Sequence, residues 1–302
     1  MQPDAMALGR RIGDAGMAGR FGIERHLAGV LALACAFAST APAAQPGRLQ
    51  SANPQEWIEY SQKRLRTITQ TLATAPGLGR YHLVFLGDSI TDFWEMGEDL
   101  WSKGKYHGRD MWLESFAGRD PANTALNLGI SGDRTEHILF RIASPKEGGL
   151  GELDRADLAP EYLVLMAGIN NSWAAEDPAA DSIFEGVRAI VRAVHAHKPH
   201  TRVVLQSILP TNDDAKNAAV VRPVNAASAQ WRARPNSRYV AWLDLYPAFV
   251  DASGHQIGID FIEGLRPTAQ GYRVWRDRLV PSLAADRQKR RYVGILLAVL
   301  RH

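Results

Sequence analysis

Five short apolar runs punctuate the chain: His82–Leu86, Ala125–Leu128, Tyr162–Ala167, Arg202–Gln206 and Tyr239–Leu243. Each is followed at once by Gly, Ser or Asp, residues that favour turns. Segments compatible with helix lie between them, at 134–142, 179–198, 215–233 and 268–284. Another, 53–72, precedes the first run and carries Trp57, Ile58, Leu65, Ile68 and Leu72. The runs are apolar throughout rather than alternating, which is the pattern of strands buried on both faces. Strands of that kind alternating with helices predict a three-layer α/β/α sandwich around a parallel sheet of about five strands. No repeat or linker interrupts residues 53–285, which are read as one domain. Sheets of this class carry their sites at the carboxyl ends of the strands.

The two ends differ from this body. Residues 27–38 are almost wholly apolar, with Arg20, Arg25 and His26 before them and Ala41-Pro42-Ala43 after. A basic start, a short apolar stretch and an A-x-A site predict a signal peptide over 1–43, and hence an exported, periplasmic or secreted protein. Leu31–Cys35 loosely matches a lipoprotein box, so membrane attachment at this end is expected only if Cys35 is lipidated. Cys35 is the one cysteine, so the body offers no thiol nucleophile, cysteine-bound zinc or disulfide. At the other end, 286–302 form a basic-apolar tail, Arg287-Gln288-Lys289-Arg290-Arg291 followed by Tyr292–Leu300. A loosely attached segment is expected there, in preference to an interfacial anchor.

The formal charge of +3 belongs to these ends. Residues 1–43 hold four Arg and three acids, and 286–302 hold five basic residues and one acid. That leaves 26 basic against 28 acidic residues in between. A nucleic-acid-binding domain would carry its basic excess in the folded body, so no nucleic-acid partner is expected.

Candidate chemistry stands at the strand ends. Gly87-Asp88-Ser89 follows the first strand and places a hydroxyl at the carboxyl edge. Asn127-Leu128-Gly129-Ile130-Ser131-Gly132-Asp133-Arg134-Thr135 follows the second, with Asp133 expected to cap the next helix. Gly168-Ile169-Asn170-Asn171 follows the third, and an Asn amide there can donate to a developing oxyanion. Glu263-Gly264-Leu265-Arg266-Pro267-Thr268 opens the last helix. Taken together, in this order, these motifs resemble the SGNH hydrolases, the GDSL esterases and lipases, over roughly 80–285. Within that superfamily Asn127–Ile142, Gly151–Leu153 and Tyr162–Asn171 are most similar to the catalytic subunits of platelet-activating-factor acetylhydrolase and their bacterial relatives.

The resemblance implies a flavodoxin-like fold and hydrolysis of acetyl or short acyl esters of a carbohydrate or lipid. It makes Ser89 the nucleophile, with its own N–H, the Gly129 N–H and the Asn170 amide forming the oxyanion hole. It also implies an Asp-x-x-His element, whose His is the general base. Here Glu263 stands at the Asp position and Arg266 at the His position. Arginine stays protonated and cannot accept the serine proton, so Glu263 and Arg266 are expected to form a salt bridge. The alternative function is therefore a degenerate member that binds an acylated ligand with little turnover. Among the other histidines, His107 in the irregular segment 97–124 and His255 near a hairpin tip are the conceivable substitutes. His82 and His195–His200 lie at the wrong edge, and His137 is read as structural. Trp94 and Trp173, beside the motifs, either line the pocket or cover the sheet edge. No G-x-G-x-x-G follows a strand and no zinc spacing occurs, so neither cofactor nor metal is expected.

Overall fold

The computed structural model describes residues 61–173 and 178–299; the side chains of 294 and 296–299 are not described. Residues 1–43, where a signal peptide is expected, and Cys35 lie outside the described residues.

The expected strands form one parallel sheet. β1 (Leu83–Gly87), β2 (Ala125–Asn127), β3 (Tyr162–Met166), β4 (Arg202–Gln206) and β5 (Val240–Leu243) align in the order β2-β1-β3-β4-β5. Leu83 is in register with Ala125 on one side and Tyr162 on the other. Every residue of β1, β2 and β3 is buried, as uniformly apolar runs require when helices cover both faces. The helices are α1 (Gln62–Thr74), α2 (Ser89–Asp92), α3 (Arg109–Ser115), α4 (Thr135–Ile142), α5 (Ala179–His197), α6 (Asp214–Lys216), α7 (Arg222–Arg232) and α8 (Ala269–Val299). A π-helical turn, Asn217–Val221, joins α6 to α7. α4, α5 and α7 pack side by side, while α3 packs on α8. A small antiparallel ribbon, β6 (Phe261–Ile262) with β7 (Arg266–Pro267), precedes α8. The chain is thus a three-layer α/β/α sandwich. The strand order reverses between β1 and β3, so the loops after these two strands flank a crevice at the carboxyl edge.

Two local expectations are corrected. Asp133 does not cap α4: Arg134 occupies that position, and Asp133 is fully buried with its carboxylate 2.9 Å from Arg141. A buried guanidinium draws the carboxylate inward, because neither charge is tolerated there alone. The last helix does not stop near 284. It runs on to Val299, because Arg287 bonds Glu161, Asn123 Oδ1 and the Ala122 carbonyl and holds the first turn of the expected tail against the sheet.

Candidate active site

Gly87 ends β1, and the chain turns directly into α2. Asp88 caps that helix, accepting from the Ile90 N–H at 2.9 Å. This leaves Ser89 as the first helical residue, half-buried at the carboxyl edge. Its Oγ has no protein partner among the described residues. The N–H of a first helical residue has no intrahelical acceptor either. Ser89 lines a cavity of about 510 Å³ with Ser131, Gly132, Glu263 and Arg266, walled by Phe93, Trp101 and Leu265.

The loop after β2 is folded over α2 by Asn127. Its side chain donates to the Thr91 carbonyl at 3.0 Å and accepts from the Gly129 N–H at 2.8 Å. A Cβ on Gly129 would lie 2.3 Å from the Asp92 nitrogen, so only glycine permits this close packing. The Gly129 N–H therefore faces Asn127 and not the cavity. Three residues on, Gly132 does line the cavity, with φ at +86°, and among the described residues its N–H has no protein acceptor. Asn170 stands beside the cavity, next to its lining residue Gly132, rather than among the lining residues. One N–H of its amide donates to the Asp133 carbonyl at 2.8 Å, next to Gly132, and fixes its orientation there. Neighbouring Asn171 is buried and bonded to Thr135 and Glu136.

The remaining two expected residues come together as an ion pair. Arg266 Nη2 contacts Glu263 Oε2, and both line the Ser89 cavity. Glu263 has φ at +54°, the one non-glycine in the left-handed region among the described residues, a conformation that costs on the order of 1 kcal/mol or more. Arg266 is 12% exposed. Its guanidinium lies 5.0 Å over the Trp101 ring, 5.8 Å from the Phe93 ring and 3.8 Å from Asp99.

No described histidine lines this cavity. His107 is buried, between Asp99 and the Pro267 carbonyl, each at 2.7 Å. His255 bonds Asp214 beside a separate small cavity. His137 accepts from the Arg134 N–H, completing the α4 cap. Trp94 is a core residue among Phe116, Tyr272 and Trp275. Trp173 is exposed beneath Lys216. The tryptophan of the cavity is Trp101, which no motif in the sequence marks.

Electrostatics beneath the cavity are acid-rich. Burial pushes the Asp88 carboxyl up to about 7, against the hydrogen bond from Ile90. Burial likewise pushes the Asp133 carboxyl up, opposed by Arg141 and reinforced by Glu152. Arg141 lies 2.6 Å from Glu152 as well. Among the described residues no group of three His, Cys, Asp or Glu is placed to hold a metal ion.

Residues 85–274 match the model of the GDSL-like lipase/acylhydrolase family. The chain is 30% identical over 213 residues to the alpha1 subunit of human platelet-activating factor acetylhydrolase IB, covering 68% of this chain and 78% of that one. It is 27% identical over 195 residues to the mouse alpha2 subunit, covering 63% and 70%. A crystal structure of a GDSL-like lipase from Bacteroides thetaiotaomicron superposes with a TM-score of 0.54 at 20% identity, covering 76% of this chain and all of the other, and shares its fold. With the serine turn, the glycine loop and the sandwich in the expected order, the chain belongs to the GDSL-like lipase/acylhydrolase family and is a hydrolase of that family.

Proposed function

We propose that the protein removes acetyl or short acyl groups from a small-molecule or glycan ester outside the cytoplasm, with Ser89 as nucleophile. The observation that carries this reading is the unpartnered Ser89 hydroxyl at the open edge of the sheet, in one cavity with Gly132, Glu263 and Arg266. Ser89 Oγ attacks the acyl carbonyl carbon. The oxyanion is received by the N–H groups of Ser89 and Gly132 and by the second N–H of the Asn170 amide. Gly132 takes the part that the resemblance implied for Gly129.

The serine proton needs an acceptor, and Arg266 cannot be one. Among the described residues Glu263 is the only carboxylate lining the cavity, and its Oε1 is free of the Arg266 contact. In this reading Glu263 takes the proton and returns it to the departing alcohol. Water then hydrolyses the acyl-enzyme by the same steps in reverse. A carboxylate is a weaker base than imidazole, so turnover is slow. The position of Arg266 also supports a second reading, a binding protein for acylated ligands with little turnover. Export is supported by the basic start, the apolar stretch 27–38 and Ala41-Pro42-Ala43.

Hydrolysis of p-nitrophenyl acetate by the wild type, Ser89→Ala and Glu263→Gln tests the assignment. Loss in both variants is expected. Equal rates in wild type and Ser89→Ala would remove the nucleophile, and no turnover by any form would favour the binding protein. Mass spectrometry of the exported N-terminus tests cleavage near residue 43.

A further inference from the structure

The end of α8 is a second feature with a chemistry of its own, and it stands at the opposite edge of the sheet. Among the described residues the last buried one of α8 is Leu283, yet the helix continues to Val299. Tyr292, Val293 and Ile295 are 64%, 49% and 63% exposed, and the run Tyr292–Leu300 contains no polar residue besides the tyrosine hydroxyl. A helix apolar on all sides is normally a buried one.

What lies beside it is basic. A cavity of about 400 Å³ is lined by Arg287, Arg290 and Arg291 with His82, Ala122 and Glu161. Glu161 is its one carboxylate, already held by Arg287 at 2.8 Å and by Arg290 at 3.5 Å. Asp286 nearby is taken by Arg202 at 3.0 Å and the Tyr162 hydroxyl at 2.9 Å. Arg291 and Lys289 are exposed without a protein partner among the described residues. The charge is uncompensated, and it directly adjoins the apolar turns.

We infer that the end of α8 docks on an anionic phospholipid surface, with phosphate headgroups at the arginine-lined cavity and Tyr292–Leu300 in the interface. The eight helical residues Tyr292–Val299 rise about 12 Å, too little to cross a hydrocarbon core of about 30 Å. Basic residues stand at both ends of the run, Arg291 and Arg301, which suits a segment lying along the interface. Charge decides against a second copy as the occupant: pairing two such helix ends would bring Lys289, Arg290 and Arg291 of both chains together, while the carboxylates beside them among the described residues, Glu161 and Asp286, are already held. His82, Ala122 and Glu161 precede β1, β2 and β3, whereas Ser89, Gly132 and Asn170 follow them. Docking at this edge therefore turns the Ser89 cavity away from the bilayer.

Co-sedimentation of the full chain with vesicles tests this, comparing phosphatidylcholine alone with an equimolar phosphatidylcholine–phosphatidylglycerol mixture. Partition to the mixture only, weakening with salt, is expected. Lys289→Gln with Arg291→Gln should lower it about 25-fold, at about fivefold for each basic residue. Val293→Asp with Ile295→Asp should lower it at least tenfold, and ester hydrolysis should not change in either variant. Both variants keep the N-terminal apolar run, so binding as strong as wild type in both would place the attachment there and overturn the inference. Equal partition to both vesicle types, or no partition together with a soluble dimer that Val293→Asp and Ile295→Asp dissociate, would also overturn it.

Discussion

The Nε2 of His107 lies 2.7 Å from Asp99 Oδ2, with neither side chain exposed to solvent. On its other side Nδ1 faces the Pro267 carbonyl, which can only accept. Asp99 holds the other ring nitrogen, so the imidazole is gripped from both sides. The pair ties the segment that carries Trp101 to β7, which carries Arg266. Both ring nitrogens are engaged, so His107 has none left to serve Ser89.

Removing His107 should therefore act on stability first. Burial pushes the Asp99 carboxyl up, but the hydrogen bonds from His107, Trp101 and Ser102 outweigh it and hold the carboxyl below its ordinary range. A depressed carboxylate stabilises the fold above its unfolded pKa and loses that contribution as pH falls through the folded value. His107→Ala should cost about 3–5 kcal/mol near neutral pH, as breaking a buried pair does, and less below about pH 4. Urea denaturation across that range checks both parts. A loss of activity without a loss of stability would return His107 to the chemistry.

The two glycines of the β2 loop differ in what their N–H groups meet, and variants at Gly129 and Asn170 separate packing from oxyanion binding. Gly129→Ala would force a Cβ onto the Asp92 backbone, so it should destabilise by several kcal/mol, as overpacking a rigid contact does. Asn170→Ala should leave stability nearly intact and lower kcat about 10²–10³-fold with little change in KM, as expected of an oxyanion donor. Thermal melts and steady-state kinetics of the two variants distinguish these roles. An Asn170→Ala variant altered only in KM would take the amide out of the oxyanion hole.

Much of this is legible in the sequence, and the remainder has a common cause. The five strands announce themselves because burial on both faces leaves an apolar run whatever the neighbours are. Ser89 and Asn170 sit directly after such runs, so their edge of the sheet follows from topology. Gly129 and Gly132 cannot be told apart that way: which N–H is free depends on where the Asn127 side chain goes. His107 meets Pro267 across 160 positions, and Trp101 reaches the cavity through the same fold-back, so no local pattern carries them. The length of α8 escapes the sequence because what holds its extension, Glu161 against Arg287, is likewise distant along the chain.

Asp88 gives the pH dependence of the fold its expected sign. Burial raises the carboxyl to about 7, so the folded chain keeps a proton that the unfolded chain releases near pH 4. Stability contributed by this group therefore falls as pH rises from about 4 to about 7, and is level above that. Asp88→Asn keeps the acceptor for the Ile90 N–H and removes the ionisable group. It should flatten that slope and stabilise the protein at pH 8 by a few kcal/mol, since each tenfold difference in proton affinity between the folded and unfolded chain is worth about 1.4 kcal/mol. Denaturation midpoints of both proteins at pH 5 and pH 8 check it; parallel slopes would place the proton elsewhere in the buried acid group.

Replacing Glu263 and Arg266 together tests the base most directly. Glu263→Asp with Arg266→His would set an imidazole in the wall of the Ser89 cavity, with a carboxylate three residues before it to orient the ring. Aspartate adopts the left-handed conformation of position 263 more readily than glutamate, so the change does not oppose the backbone there. Imidazole titrates near the operating pH, where a general base is most effective. Turnover of p-nitrophenyl acetate should rise by orders of magnitude over wild type, because nucleophile, base and orienting carboxylate act as a unit. The single Arg266→His change should recover less, since Glu263 is one methylene longer and loses its guanidinium partner. Ser89→Ala in the double variant should abolish the gain. A rise that survives Ser89→Ala would mean that the new histidine hydrolyses the ester unaided. A double variant slower than wild type would mean that Glu263, as Arg266 holds it, is already the competent base.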